Sequence, residues 1–254
     1  MQNFVSERSR VIREFFKLDE KIELINADAI PAKQKPDVEA YLSAFNMEWH
    51  LIPSADALPF DQKYIDSLYP TSCINSGKHG RQCDELRLAL KSGHTKHQGR
   101  MIAVEVTQKP CYLPENRQFY GTRYGFEPTA DPFSRYLGRA SFVNGTRFAH
   151  NYPSLREFVQ VVSDDWKSRS MMPEGYRLTV CPPAVFNLVG TLFHPEWSDT
   201  ETPELGFYRD SHGNATCYAV GCNGPGDFSF LRAVEGDADW TLLGFRVALV
   251  PEKL

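Results

Sequence analysis

The stretch LGFYRDSHGNATCYAV, Leu205 to Val220, decides the fold. Two runs rich in apolar and aromatic residues flank Ser211-His-Gly-Asn214. Glycine and asparagine tolerate the backbone angles of a tight reversal, so the centre reads as a turn. The flanks, Leu205 to Asp210 and Ala215 to Val220, then read as paired antiparallel strands. A second pair, Asp227 to Val234 and Thr241 to Val250, brackets Glu235-Gly-Asp-Ala238. Four strands joined by short turns predict an antiparallel meander in the last quarter of the chain.

Upstream of this stretch the apolar period is mostly helical. In Phe4 to Leu24 the residues Val5, Ile12, Phe15, Phe16 and Leu18 fall on one face. A proline-bearing linker, Ala29 to Pro36, separates this helix from a short one over Asp37 to Phe45. The most clearly marked helix is predicted over Ser154 to Ser168, with Ser154 and Glu157 as a capping box. Pro183 to Phe193 reads as a buried helix opening on proline. Strands are expected at MEWHLIP, at Met101 to Thr107 and at Tyr176 to Val180. The fold class that follows is α+β: helices in the first three quarters pack on a mostly antiparallel sheet whose C-terminal strands form a meander. Residues 1–254 are expected to make one compact domain, with 1–35 as a peripheral helix and linker.

At 254 residues the chain is long enough to bury a large core without disulfides or a structural metal. A net charge of −4 argues against general nucleic-acid binding, which draws its affinity from Lys and Arg on phosphates. No apolar run approaches the roughly 18 residues of a membrane span. The N-terminal segment MQNFVSERSRVIREFF is charged and amphipathic and does not read as a secretory signal. A cytoplasmic location with reduced cysteines is the expectation.

Between Leu192 and Asn223 lie His194 and His212, the only histidines beyond position 150. His194-Pro-Glu196 sets an imidazole and a carboxylate two residues apart, on one side of an extended backbone. His212, in the hairpin turn, would complete a set of two histidines and one carboxylate. Such a set holds non-haem iron or catalytic zinc, so His194, Glu196 and His212 are the candidate ligands of a divalent metal. Arg209, on the adjoining strand, is the candidate for holding an anionic group, with Tyr208 beside it as a candidate ligand contact. His79, Cys83, His94 and His97 are zinc-type residues without the paired spacing of a zinc motif. The segment 109–132 has four prolines and interleaves five aromatic rings with Arg117 and Arg123. Arg123 and Tyr124 are its candidate ligand contacts.

The segment GFRVALV, Gly244 to Val250, resembles the closing strand of the formylglycine-generating, sulfatase-modifying family. The chain lacks that family's upstream Arg-Gly-Gly strand and its dense tryptophan signature, so the resemblance carries no function across. Two functions of different class remain. The leading one is a non-catalytic binding protein, with the 109–132 loop and the hairpin as docking surface for a protein or a small polar molecule. The alternative is a small-molecule enzyme near 194–212, using a metal or a histidine for hydrolysis or proton transfer.

The cysteine reading has a direct check. Thiol titration of denatured, unreduced protein is expected to find six reactive groups, one per cysteine; two or four would mean disulfides and an oxidising compartment.

Overall fold

A computed structural model of the chain describes residues 2–25, 34–53, 99–107, 110–112, 118–120, 131–137, 147, 150–199, 204–209, 215–220, 231–234 and 243–252. The architecture is α+β, with helices and two four-stranded sheets, one antiparallel and one mixed. The first sheet has the order β1-β2-β10-β5: β1 is Met47–Ile52, β2 Arg100–Glu105, β5 Tyr176–Val180 and β10 Val247–Pro251. Every pairing in it is antiparallel. All six residues of β2 are buried, which suits a strand with neighbours on both sides. A separate short pair, β3 (Pro110–Tyr112) with β4 (Gln118–Tyr120), is also antiparallel.

The second sheet has the order β8-β7-β6-β9. Strands β6 (Glu204–Arg209) and β7 (Ala215–Val220) form the expected pair, with Leu205 opposite Ala219 and Arg209 opposite Ala215. The turn between them lies outside the described residues. Strand β8 (Leu231–Val234) adds to β7, so three strands make the predicted meander. The fourth predicted strand, Thr241 to Val250, does not join it as one piece. Gly244–Phe245 (β9) runs parallel to β6, and after Arg246 alone the chain enters β10 in the first sheet, between β2 and β5. The physical reason lies in the residues. Val247, Ala248, Leu249 and Val250 are all at or below 1% exposure, so both faces of this strand need cover that an edge of a meander lacks.

Two buried arginines fasten the sheets where the chain crosses. Arg246 donates from Nε and Nη2 to both carboxylate oxygens of Glu204, at 2.6 Å each, and from Nη1 to the Glu105 carbonyl at 2.9 Å. Arg147 donates to both oxygens of Glu105, at 2.6 and 3.0 Å, and to both oxygens of Asp131, at 2.8 Å each. It also reaches the Phe245 carbonyl at 3.1 Å, while Glu105 accepts the Val247 backbone N–H at 3.2 Å. All five charged side chains are essentially inaccessible. Burial works against the Arg246 charge, but Glu204 outweighs it and holds the guanidinium firmly protonated.

The helices cover the sheets. In chain order they are α1 (Gln2–Phe16), α2 (Pro36–Ala44), the short α3 (Ser134–Leu137), α4 (Tyr152–Ser168) and α5 (Pro183–Leu192). Helix α4 buries Leu155, Phe158, Val162 and Trp166, spaced for one face, and packs on β5. Its start differs from the sequence expectation. Asn151 is the N-cap: its side chain accepts the Ser154 backbone N–H at 2.9 Å, and the Ser154 hydroxyl accepts the Asn151 N–H in return at 3.1 Å. Ser154 is thus the third helical residue. Pro153 falls in the first turn, where its missing N–H would have had no partner anyway. Helix α5 does open on proline, and a Cβ at Gly206 of β6 would come within 2.9 Å of Pro183. Glycine is required there because helix and strand meet too closely for any side chain.

Cys181 is a buried free thiol, and burial pushes its pKa up, keeping it protonated. Residues 54–98 lie outside the described residues, and with them His79, Cys83, His94 and His97. Among the described residues, no helix is long and apolar enough to cross a membrane.

Two stability measurements follow. Asn151→Ala removes the cap and is expected to cost about 0.5–2 kcal/mol, read as a lower urea midpoint, while Glu157→Gln leaves the midpoint near the parent value. Arg147→Met strands two buried carboxylates and is expected to cost about 3–5 kcal/mol, the larger loss of the two substitutions.

Candidate metal centre

Strand β1 carries Glu48 and His50 two residues apart, so both side chains leave the same face. On the opposite face Trp49 meets Tyr176 edge to face, with ring centroids 5.1 Å apart. Helices α1 and α5 both pack against β1. Beyond α5 the backbone N–H groups of Phe193 and His194 both donate to the Val189 carbonyl, at 2.9 and 3.1 Å. That wraps the end of the helix and delivers His194 to β1. A 3-10 turn, Pro195–Asp199, follows, in which the Trp197 N–H bonds to the His194 carbonyl at 3.0 Å.

The His194 ring is oriented by two neighbours. Its Nδ1 lies 2.8 Å from Glu196 Oε1, and its face stacks on the fully buried Trp197, with centroids 5.1 Å apart and planes 13° apart. A carboxylate on Nδ1 calls for that nitrogen to be the N–H donor, which in the neutral tautomer leaves Nε2 as the acceptor. Nε2 faces Glu48 Oε2 at 3.6 Å. His50 approaches the same carboxylate from the strand, its Nε2 3.5 Å from Glu48 Oε1. One donor atom each from Glu48, His50 and His194 all lie within 4.8 Å of one another.

Satisfaction of these donors is uneven. His50 is fully buried, yet among the described residues neither of its ring nitrogens has a hydrogen-bond partner, and His194 Nε2 has none either. Buried polar atoms without partners are uncommon in folded proteins and call for a specific explanation. Arg8, on α1, donates from Nη2 to Glu48. Its guanidinium sits 4.2 Å from the centre of the Phe193 ring and 4.9 Å from that of Phe4.

Electrostatics sets the protonation states. Burial drives the His50 pKa down, against the pull of Glu48, from its ordinary 6.5 to about 3. Burial alone would raise the Glu48 carboxyl; His194, His50 and Arg8 outweigh it and hold the pKa at about 2. With His50 neutral above about 3, Arg8 supplies the positive charge beside Glu48 at neutral pH. At neutral pH the cluster therefore offers an ionised carboxylate and a neutral buried imidazole. Those are the forms in which each side chain ligates a metal.

Of the candidate residues read from sequence, His194 and Glu196 come together as described. Tyr208 and Arg209 lie on β6, and nothing is described of their side chains. His212, Arg123 and Tyr124 lie outside the described residues. Glu48 and His50 were not singled out from the sequence, although Glu48-Trp-His50 has the same two-residue spacing that drew attention to His194 and Glu196. A polar groove of about 600 Å³ runs between α4 and β5, past Arg156, Lys167 and Arg177, and none of the three donor residues lines it.

No known protein family, curated protein or solved structure matches this chain.

Proposed function

We propose that this chain binds a divalent metal ion through Glu48, His50 and His194 and uses the centre to act on a small polar molecule. The observation that carries the reading is His50: fully buried, with both ring nitrogens unpartnered among the described residues, and with Nε2 3.5 Å from the Glu48 carboxylate. Two histidines and one carboxylate make a ligand set that leaves coordination positions open, suited to iron(II) or to zinc. Around an ion with bonds of about 2.0–2.2 Å, neighbouring ligand atoms stand roughly 3.0–3.6 Å apart. His50 Nε2 stands 3.5 Å from Glu48 Oε1 and His194 Nε2 3.6 Å from Glu48 Oε2, so each carboxylate oxygen has one imidazole at that span. One donor atom from each of the three residues lies within 4.8 Å of the others, and a bound ion would draw them closer.

A bound metal would supply Lewis acidity at its open positions. The protein's own contribution is the orientation of the ligands. Glu196 holds His194 in the tautomer that presents Nε2, and Trp197 fixes the plane of its ring. Hydrolysis or proton transfer on a small polar substrate is the class of reaction this arrangement suits.

A purely structural clasp between α1 and β1 would account for the Arg8–Glu48 pair. It would leave the hydrogen-bonding groups of a fully buried His50 unmet, at about 1–3 kcal/mol each. The docking-surface reading rests on 109–132 and the hairpin turn, most of which lie outside the described residues.

Titration calorimetry with zinc(II) or cobalt(II) tests the proposal. One ion per chain is expected to bind, His50→Gln and His194→Ala are each expected to lose it, and Glu196→Gln to weaken it about 10–100-fold. At a hundred times Kd the ion should add about 2.7 kcal/mol of stability. Binding in His50→Gln as tight as in the parent would rule this centre out.

A further inference from the structure

Arg8 has two kinds of partner, and they differ in what a metal would do to them. Its guanidinium lies against the Phe4 and Phe193 rings, at 4.9 and 4.2 Å, and also donates to Glu48. Phe193 in turn packs on His50, with ring centroids 5.3 Å apart. The aromatic contacts hold the guanidinium beside the cluster whether or not Glu48 is engaged elsewhere. The Arg8 side chain retains 18% of its exposure and that of Glu48 33%, so this edge of the cluster opens to solvent. The fully buried His50 closes the other side.

Charge then decides what belongs there. A divalent ion adds two positive charges to the one on Arg8, against one negative charge on Glu48 and one on Glu196. The loaded site is left net positive in a partly desolvated place, and an anion is the group that would neutralise it. A metal with three protein ligands has positions to bind one oxygen of that anion. The planar fork of a guanidinium matches a carboxylate, taking up its remaining oxygen lone pairs.

Resting on the metal reading above, we infer that Arg8 and the metal together form a binding site for the carboxylate of a small molecule, with Arg8 as the residue that selects for the anion. Arg8 is then a positioning and specificity residue. In the absence of the anion it occupies Glu48 and competes with the metal for that carboxylate.

Cobalt(II) gives a readout that separates the parts, because its visible absorption reports both loading of the metal and any change in its ligands. The full chain is titrated first with cobalt(II) and then with acetate, and the same is done with Arg8→Gln and Arg8→Lys. In the parent, acetate is expected to shift the absorption bands saturably and to tighten cobalt binding. In Arg8→Gln, cobalt alone is expected to bind as tightly as in the parent or more so, while the apparent acetate affinity falls at least about tenfold, the loss of one charge-assisted contact. Arg8→Lys keeps the charge without the fork and should fall between the two. Chloride and phosphate titrations serve as comparisons: a response to either as strong as that to acetate would overturn the carboxylate assignment. Acetate affinity unchanged in Arg8→Gln, with cobalt bound, would overturn the role of Arg8 and leave the metal centre standing. Failure of the parent to bind cobalt at all would overturn the metal centre, and the carboxylate site with it.

Discussion

Glu105 is the residue on which the two sheets depend. It sits at the end of β2 and is met by Arg147 through both carboxylate oxygens, by the Val247 amide and, at its carbonyl, by Arg246. Three carboxylates and two guanidinium groups are thereby taken out of water together. Such a cluster contributes little net stability compared with an apolar core of equal volume, because desolvation opposes the attraction. Its effect is conditional. Once the charges are buried, any arrangement of strands that fails to bring all of them together carries unpaired charges, at several kcal/mol apiece. The crossing of the chain from β9 to β10 at a single residue is held against that penalty.

The same cluster reaches toward the candidate metal centre through one aromatic ring. The Arg246 guanidinium lies 3.7 Å from the centre of the Trp197 ring, and Trp197 carries the His194 imidazole on its face. Phe186 of α5 also stacks on Trp197, with centroids 5.3 Å apart. His194 is thus positioned by a turn whose buried anchor rests on the sheet junction. A site built this way is held by the most constrained part of the molecule, even though Glu48 and Glu196 both reach solvent. Precise placement of a ligand requires this kind of support behind it.

What was legible in the sequence was whatever local chemistry decides. The β6–β7 pair follows from two strand-like runs around a turn, and α4 from its helical apolar face. The cap of α4 was misread by three residues, because asparagine and serine are both good caps and only the backbone geometry distinguishes them. The fate of the last strand could not be read locally. Its place between β2 and β5 depends on Arg246 meeting Glu204 and on Glu105 meeting Val247, contacts that span 42 and 142 residues. The site divides in the same way. The His194–Glu196 pair was visible as a spacing in a polar segment. Glu48 and His50 stood in MEWHLIP, where an apolar strand reading absorbed them, and their meeting with His194 is long-range.

The interior position of β10 has a consequence for how the protein is made. A ribosome releases β1 and β2 early and β5 much later, but β5 has no place in the first sheet until β10 exists to join it to β2. Until residues 247–251 emerge, β2 lacks one neighbour and Glu105 lacks both Arg246 and the Val247 amide. Nascent chains are therefore committed to a long interval with an open apolar strand edge and half-paired charges. Closure of such long loops makes folding slow and leaves open edges exposed to wrong partners. For this chain, the first sheet cannot close before residues 247–251 have left the ribosome.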